Sequence, residues 1–382
     1  MTAGESPVQR PTLRDTQGPL RGVRVVEFAG LGPAPFAAML LSDMGADVVR
    51  IDRPGARVQS RDPTLRGRHL VHLDLKNAAE RESAMALIEQ SDVLIEGFRP
   101  GVMERLELGP EAALMRQPAL IYGRMTGWGQ SGPRMHTAGH DINYISLPGA
   151  LNAIGTHDAP LPPLNLVGDY GGGALYLVVG VLAALLESRT TGQGQVVDAA
   201  MCDGVASLMT PLIGMGAAGL WREGRAQNML DGGAHYYRTY ACADGRHVAV
   251  GAIEPQFYAL LREYAHLDDE AFDAQQDSAG WSDLSNRLAA VMVTRTRDEW
   301  CAIFAGTDAC VTPVLTLEEA PTDSHLAARD TFVNHNGQLQ PAPAPRFSRT
   351  PSQIQQPPAT MPGSVEHLLD LWRGEGSRAP TA

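Results

Sequence analysis

Apolar and polar positions recur with two periods along this chain. Val23–Ala29 (VRVVEFA) is a β-branched run closed by Gly30, and Ala34–Met44 spaces its apolar residues as a helix does. Asp47–Asp52 (DVVRID) predicts a second strand, Leu70–Leu75 a third, Asp92–Phe98 (DVLIEGF) a fourth and Leu120–Met125 a fifth. Asn77 is placed to cap a helix running through Glu89. Strands alternating with helices of about 10–15 residues predict an α/β fold, a parallel sheet wrapped by helices.

The pattern changes over residues 126–173, where GWGQSGP, AGHDINY and PPLNLVGDYGGG are rich in Gly, Pro and Asn. Long ordered loops of this kind carry function more often than structure. An apolar helix follows over Ala174–Glu187, then a short strand over Gln195–Asp198. From about residue 225 the texture differs again. Tyr240–Ile253 holds a hairpin around Asp244–Gly245, and helices are expected over Pro255–His266, Asp283–Arg295 and Asp298–Ala305. Residues 341–358 are Pro-rich and extended, and an amphipathic helix ends the pattern at Val365–Arg373. The expected organisation is a loose arm over 1–20, a large α/β domain over 21–224 and a small α+β domain over 225–330. Residues 331–382 form a segment returning to the large domain. There is no internal repeat.

Composition narrows the chemistry. Of 382 residues, 44% are hydrophobic and 19% charged, as in ordinary globular chains that fold without disulfides or metal. A net charge of −12 opposes nonspecific nucleic-acid binding, so an anionic ligand needs a local cluster of cations. The four cysteines, Cys202, Cys242, Cys301 and Cys310, show no CxxC or zinc spacing, and no metal site is expected. Lys76 is the one lysine, in LDLKNA, which excludes a GxxxxGK[ST] phosphate loop and leaves Schiff-base chemistry without a supporting motif. The N-terminal residues lack a signal-peptide core, the Ala174–Leu186 stretch is too short to span a bilayer, and RAPTA is no peroxisomal address. These features point to a cytoplasmic protein.

Gly30-Leu-Gly32-Pro-Ala-Pro35 follows a strand and opens a helix, with Asp52 about 20 residues on. This nearly matches a dinucleotide fingerprint, but Pro35 replaces the third Gly. A nicotinamide site, a bare strand–helix turn and a site for another nucleotide all remain open on that ground. Arg53, Lys76, Arg99 and Arg105 recur where strands of the first half end, which suits a phosphorylated ligand in the crevice of an open sheet. His140 lies among Gly139, Asp141, Asn143 and Tyr144. Asp169 precedes Gly171–Gly173 at an expected helix start, where an N-cap role competes with a chemical one. Glu254 follows an apolar strand and precedes Pro255, where it is equally suited to a helix's first turn. There is no HExxH, EF-hand loop or GxSxG.

Together these motifs resemble the family III CoA-transferases, and within them the α-methylacyl-CoA racemase branch. The likeness runs from about Leu20 to about Pro351, through GVRVVEFAGLGPAPFAAMLLSDMGADVVRIDRPG, DVLIEGFRPGVMERLELGPE, YGRMTGWGQSGP, AGHDINYISL, PPLNLVGDYGGG, GQVVDAAM, ADGRHVAVGAIEPQFY and CVTPVL. The resemblance implies a Rossmann-like large domain that binds CoA rather than a nicotinamide, a small α+β domain, and an interlocked homodimer. It implies His140 and Asp169 as acid/base partners beside the thioester α-carbon, with Glu254 hydrogen-bonded to the histidine of the partner chain. CoA contacts are implied at Arg53, at Leu73, Asp74, Leu75 and Lys76, at Gly97, Phe98 and Arg99, at Arg105, and at Gly139, Asp141, Ile142, Asn143 and Tyr144.

The expected reaction inverts the α-carbon of a 2-methylacyl-CoA by removing a proton on one face and returning one on the other. The enolate-like intermediate needs donors, which are expected from a helix N-terminus at Gly171–Gly173. No metal or redox cofactor is required, because CoA is part of the substrate. In the alternative reading, a CoA-transferase, Asp169 attacks the thioester to form a mixed anhydride, and His140 and Glu254 have no clear task. A protein that binds acyl-CoA without catalysis would exchange no α-proton.

Overall fold

Six parallel strands frame the first part of the chain: β1 (Arg24–Phe28), β2 (Asp47–Asp52), β3 (Arg68–His72), β4 (Val93–Glu96), β5 (Ile121–Thr126) and β6 (Gln195–Ala200). Their order is β3-β2-β1-β4-β5-β6, so successive strands are added outward in opposite senses on the two sides of the β1–β4 pair. Ligands of open α/β sheets bind outside the carboxyl ends of the strands at such a point. The structure is a computed structural model, and it describes Leu13 and residues 16–57 and 59–374.

The chain divides into two compact units. The first comprises residues 1–148, 164–208 and 328–382, and the second residues 149–163 and 209–327. The second unit thus starts earlier than residue 225 and takes in a loop from the middle of the sheet sequence. Of the expected arm over 1–20, Gly18 and Leu20 are packed rather than loose. Leu20 is buried and donates its N–H to Met44 O at 2.9 Å, and most of the remainder lies outside the described residues.

In the first unit, helices are α1 (Pro33–Asp43), α2 (Ala78–Glu89), α3 (Val102–Arg105), α4 (Pro110–Arg116), α5 (Asp141–Ser146), α6 (Leu175–Thr191), α7 (Met201–Leu208) and α8 (Val365–Arg373). Alternate residues of β1 enter different layers. Val25 packs with Ala37, Leu41 and Leu177, while Val26 and Phe28 pack with Val49, Leu87 and Tyr122. A sheet covered on both faces explains why its strands read as continuous apolar runs. Asn77 caps α2 as expected, accepting Ala79 N–H at 2.9 Å.

The helical run Leu166–Thr191 is apolar and long enough to cross a membrane, and half of an apolar 18-residue window within it is buried. Leu177, Val178, Val181, Ala184 and Leu185 belong to the core, and a Cβ on Gly180 would lie 2.5 Å from Val197. The chain's last described stretch covers the β3 edge. Gly67 N–H donates to Gln356 O at 2.9 Å, Gly363 N–H to Leu70 O at 2.7 Å, and Trp372 of α8 is fully buried.

The second unit holds a three-stranded antiparallel sheet, Tyr237–Ala241, His247–Gly251 and Val311–Pro313. Its hairpin turns at Gly245, whose φ of 74° favours glycine. Helices Pro255–Ala265, Trp281–Met292 and Arg297–Phe304 pack on it around Tyr236, Tyr258, Leu288 and Trp300.

Candidate active site

The candidate site is built at the carboxyl ends of the parallel strands. After β5 the chain loops through residues 127–139 and enters α5, with His140 as its N-cap residue. Tyr144 is the peg of this loop. Its ring lies where a side chain on Gly127 or Gly139 would have to go, its hydroxyl donates to Gly139 O, and its edge meets Trp128 at 4.7 Å. The Arg134 guanidinium lies 5.6 Å from the Trp128 ring centroid. His140 is exposed, and its backbone is fixed twice: its N–H donates to Asn143 Oδ1 at 3.0 Å, and its carbonyl accepts Asn143 N–H at 2.8 Å.

Asp169 does not start a helix. It lies inside a wide, π-type turn, Leu166–Ala174, that runs directly into α6. Gly172 and Gly173 are buried in that turn, against Val205 and Met201 of α7, so they cannot form the free helix N-terminus expected for the thioester oxygen. The turn brings Asp169 to α5. Asp169 N–H donates to Asp141 Oδ1 at 2.7 Å, and Asn165 Nδ2–H donates to Asp169 Oδ2 at 3.0 Å. Position 168 must be glycine, because a Cβ there would collide with Asp141 Oδ1. Asp141 is 9% exposed; burial pushes its carboxyl up, an effect opposed by the N–H groups of Asp169 and Gly168. One side chain therefore ties His140, its chain neighbour, to Asp169. Asn165, four residues before Asp169 in NLVGD, was missed from the sequence, and Gly32, read there only as part of a near-fingerprint, lies where a Cβ would be 3.2 Å from Asp169 Oδ2.

The expected CoA contacts gather along the same edge. Arg53 follows β2, Leu73–Lys76 follow β3, and Gly97–Arg99 follow β4. Arg105 ends α3, one turn further on. Arg53, Lys76, Arg99 and Arg105 are exposed, while Leu73 is buried. The segment after β3 turns on Asp74, whose Oδ1 accepts Lys76 N–H at 3.1 Å. Gly97 approaches Ala34 of α1 (3.4 Å from a Cβ), and Phe98 meets Phe28 edge-on at 6.3 Å. Ile142 and Asn143 are exposed on α5, beside His140. Exposed cations at the carboxyl ends of parallel strands suit phosphate recognition. Arg99→Ala is expected to weaken CoA binding and to raise KM more than it lowers kcat. Calorimetry finding unchanged CoA affinity in the single alanine variants of Arg53, Arg99 and Arg105 would remove this assignment.

Glu254 lies in the second unit. It is exposed and directly precedes the helix Pro255–Ala265, its carbonyl accepting the N–H of Phe257 and Tyr258.

The chain is 48% identical over 360 residues to an α-methylacyl-CoA racemase of Mus musculus, covering 94% of this chain and 93% of that one. It is 47% identical over 335 residues to the human α-methylacyl-CoA racemase, covering 87% of each. A CaiB/BaiF family protein from Brucella suis shares the fold, with a TM-score of 0.77 and 25% identity over 94% of this chain and all of that one. The profile of CoA-transferase family III matches residues 20–363, and the chain belongs to that family.

Proposed function

We propose that this chain is an α-methylacyl-CoA racemase, which inverts the α-carbon of 2-methylacyl-CoA thioesters by 1,1-proton transfer. The observation that supports the reading is the Asp141 hydrogen bond, which joins the segment carrying His140 to the turn carrying Asp169 on the side of the sheet where the strands end and the cations follow. The α-proton of a thioester is weakly acidic, because its carbanion is delocalised into the carbonyl. Inversion needs a base on one face and an acid on the other, and His140 and Asp169 exchange these roles with reaction direction. Imidazole suits the task because its ordinary pKa lies near working pH. The exposed arginines hold the CoA phosphates, so the α-carbon arrives at a fixed place. No metal or redox step is needed. Glu254 is assigned to orient the imidazole of a partner chain.

The test is isotope exchange. In D₂O, pure (R)- and pure (S)-2-methylacyl-CoA should each gain α-deuterium and converge on one mixture of epimers. Acyl transfer to free carboxylates without α-exchange would make Asp169 a nucleophile and the chain a transferase.

We infer further that two copies form an interlocked homodimer. In support, α6 exposes Leu175, Val179 and Leu186, and the edge strand β6 exposes Val196. Threaded chains cannot part without unfolding. Sedimentation should show dimer at every concentration at which the protein is folded, and a folded monomer at nanomolar concentration would exclude threading.

A further inference from the structure

Two of the arginines assigned to CoA stand on short segments: Arg99 in the turn after β4, and Arg105 at the end of the one-turn α3. A buried guanidinium joins the two segments. Arg124, on β5, lies opposite Glu96, the last residue of β4, in the strand register. Arg124 Nε–H donates to Glu96 Oε1 at 2.9 Å, and its Nη1–H donates to Glu104 Oε1, on α3, at 2.7 Å. The second oxygen of Glu96 accepts the N–H of Phe98, next to Arg99, at 2.7 Å. Glu96 is 0% and Arg124 6% exposed. The guanidinium also lies 5.9 Å from the Tyr122 ring centroid, and the Tyr122 hydroxyl donates to Leu108 O at 2.9 Å, just past α3.

Such a cluster is a poor way to stabilise a sheet. Apolar residues of the same size would do as well or better, because buried ions must first be desolvated. What it provides is geometry: a planar, forked cation accepts only a narrow range of carboxylate positions. We propose that Arg124, with Glu96 and Glu104, is the positioning group of the CoA site, fixing the Gly97–Arg99 turn against α3 so that Arg99 and Arg105 meet two phosphate groups at one spacing. This rests on the CoA-binding reading above and names residues that would act through others, since both Glu96 and Arg124 are buried.

The arrangement carries its own pH dependence. Burial pushes the Glu96 carboxyl up to about 7, opposed by the Phe98 N–H and by Arg124. The ionisable groups facing it are Arg124 from β5, Glu104 from α3 and the Tyr122 phenol, whose own ionisation burial places far above neutrality. Ionised Glu96 is the form that holds Arg124 and Phe98. CoA affinity should therefore fall as pH drops through about 7.

The experiment measures CoA dissociation constants by calorimetry from pH 5.5 to 8.5. The proteins are the full chain, Arg124→Met, Arg124→Lys, Glu96→Gln, Arg99→Ala/Arg105→Ala, and that pair combined with Arg124→Met. Arg124→Met should weaken CoA by about 10–100-fold, the worth of hydrogen bonds to charged groups, and raise KM with kcat within a factor of about two. Arg124→Lys, which keeps the charge but not the fork, should recover part of this. Glu96→Gln should flatten the pH dependence relative to the unaltered chain. Titration of the CoA phosphates is common to both proteins and cancels. In the Arg99→Ala/Arg105→Ala background, Arg124→Met should cost little more, because its effect passes through those two residues. A folded Arg124→Met protein with unaltered CoA affinity, or a loss fully additive with the Arg99/Arg105 pair, overturns the proposal. If Arg124→Met does not fold, Arg124→Lys and Glu96→Gln decide it by the same two criteria. Should the Arg99→Ala/Arg105→Ala protein bind CoA normally, the CoA-site reading itself fails. Weakened binding there with normal binding in the Arg124 variants fails the positioning role alone.

Discussion

Replacing His140 or Asp169 by alanine should lower kcat for racemisation by about 10²–10⁴-fold, the usual worth of a positioned general acid or base, with CoA affinity close to that of the unaltered chain. The two losses should differ in kind. With one base gone, the other still faces one side of the α-carbon. It can abstract the proton it faces and return a solvent deuteron to the same side. Each variant should therefore exchange α-deuterium into one epimer with retention, and the two variants should favour opposite epimers. Glu254→Ala should resemble His140→Ala in pattern and lose less, because it only supports the imidazole. Asp141→Ala should resemble Asp169→Ala, because Asp141 Oδ1 holds the Asp169 N–H at 2.7 Å. Proton NMR of each epimer in D₂O reads all four variants. Equal loss of exchange from both epimers in both single variants would contradict two separate proton handlers on opposite faces.

Much of the frame behind these expectations was legible from the residues. β1, β2, β4 and β5 are short apolar runs because both faces of the sheet are covered, and such runs stand out in any window. The third strand was placed two residues late. The Arg68 and His69 that begin it are polar, and the charge of Arg68 is satisfied by Glu27 across the sheet, which spacing along the chain cannot show. The consecutive helices Met201–Leu208 and Thr210–Ala217 were missed because MCDGVASLMTPLIGMGA has glycines at intervals and a proline within it. The hairpin Phe332–His335 with Gln338–Pro341 was hidden in a polar, Pro-bordered stretch. In the site, motif likeness supplied the residue identities but not the tie between them. Asp141 was named as a CoA contact; in the structure its carboxylate faces the Asp169 turn. A carboxylate that accepts a backbone N–H looks the same in a sequence as one that faces solvent. The same holds for Glu27 and Glu96, single acids inside apolar strands.

Glu27→Ala is expected to destabilise the fold by about 3–5 kcal/mol, the cost of leaving a buried charge without its partner. Glu27 is 0% exposed on β1, one of the two central strands of its sheet, and it serves two cations. Arg50 on β2 donates to its Oε1 at 2.6 Å, and Arg68 on β3 donates to its Oε2 at 3.0 Å. Arg68 also donates to the carbonyls of Arg66 and of Pro35 in the first turn of α1, so the carboxylate anchors three strands and a helix start through one group. Without it two guanidiniums face each other in a low-dielectric space, Arg50 keeping only Asp52 at 3.6 Å. Burial already pulls the Arg68 guanidinium down, with Glu27 as the main opposing charge. Against the roughly 5–15 kcal/mol that separates folded from unfolded states, a loss of this size is a large fraction of the whole. Glu27→Gln keeps the shape and one acceptor oxygen and should lose less. Adding Arg68→Met to Glu27→Ala should restore part of the loss, since it removes one of the stranded charges. Urea unfolding followed by circular dichroism reads all three, as shifts in midpoint at constant slope. A Glu27→Ala midpoint indistinguishable from that of the unaltered chain would mean that water reaches this triad and that it is not the closed ion cluster its geometry describes.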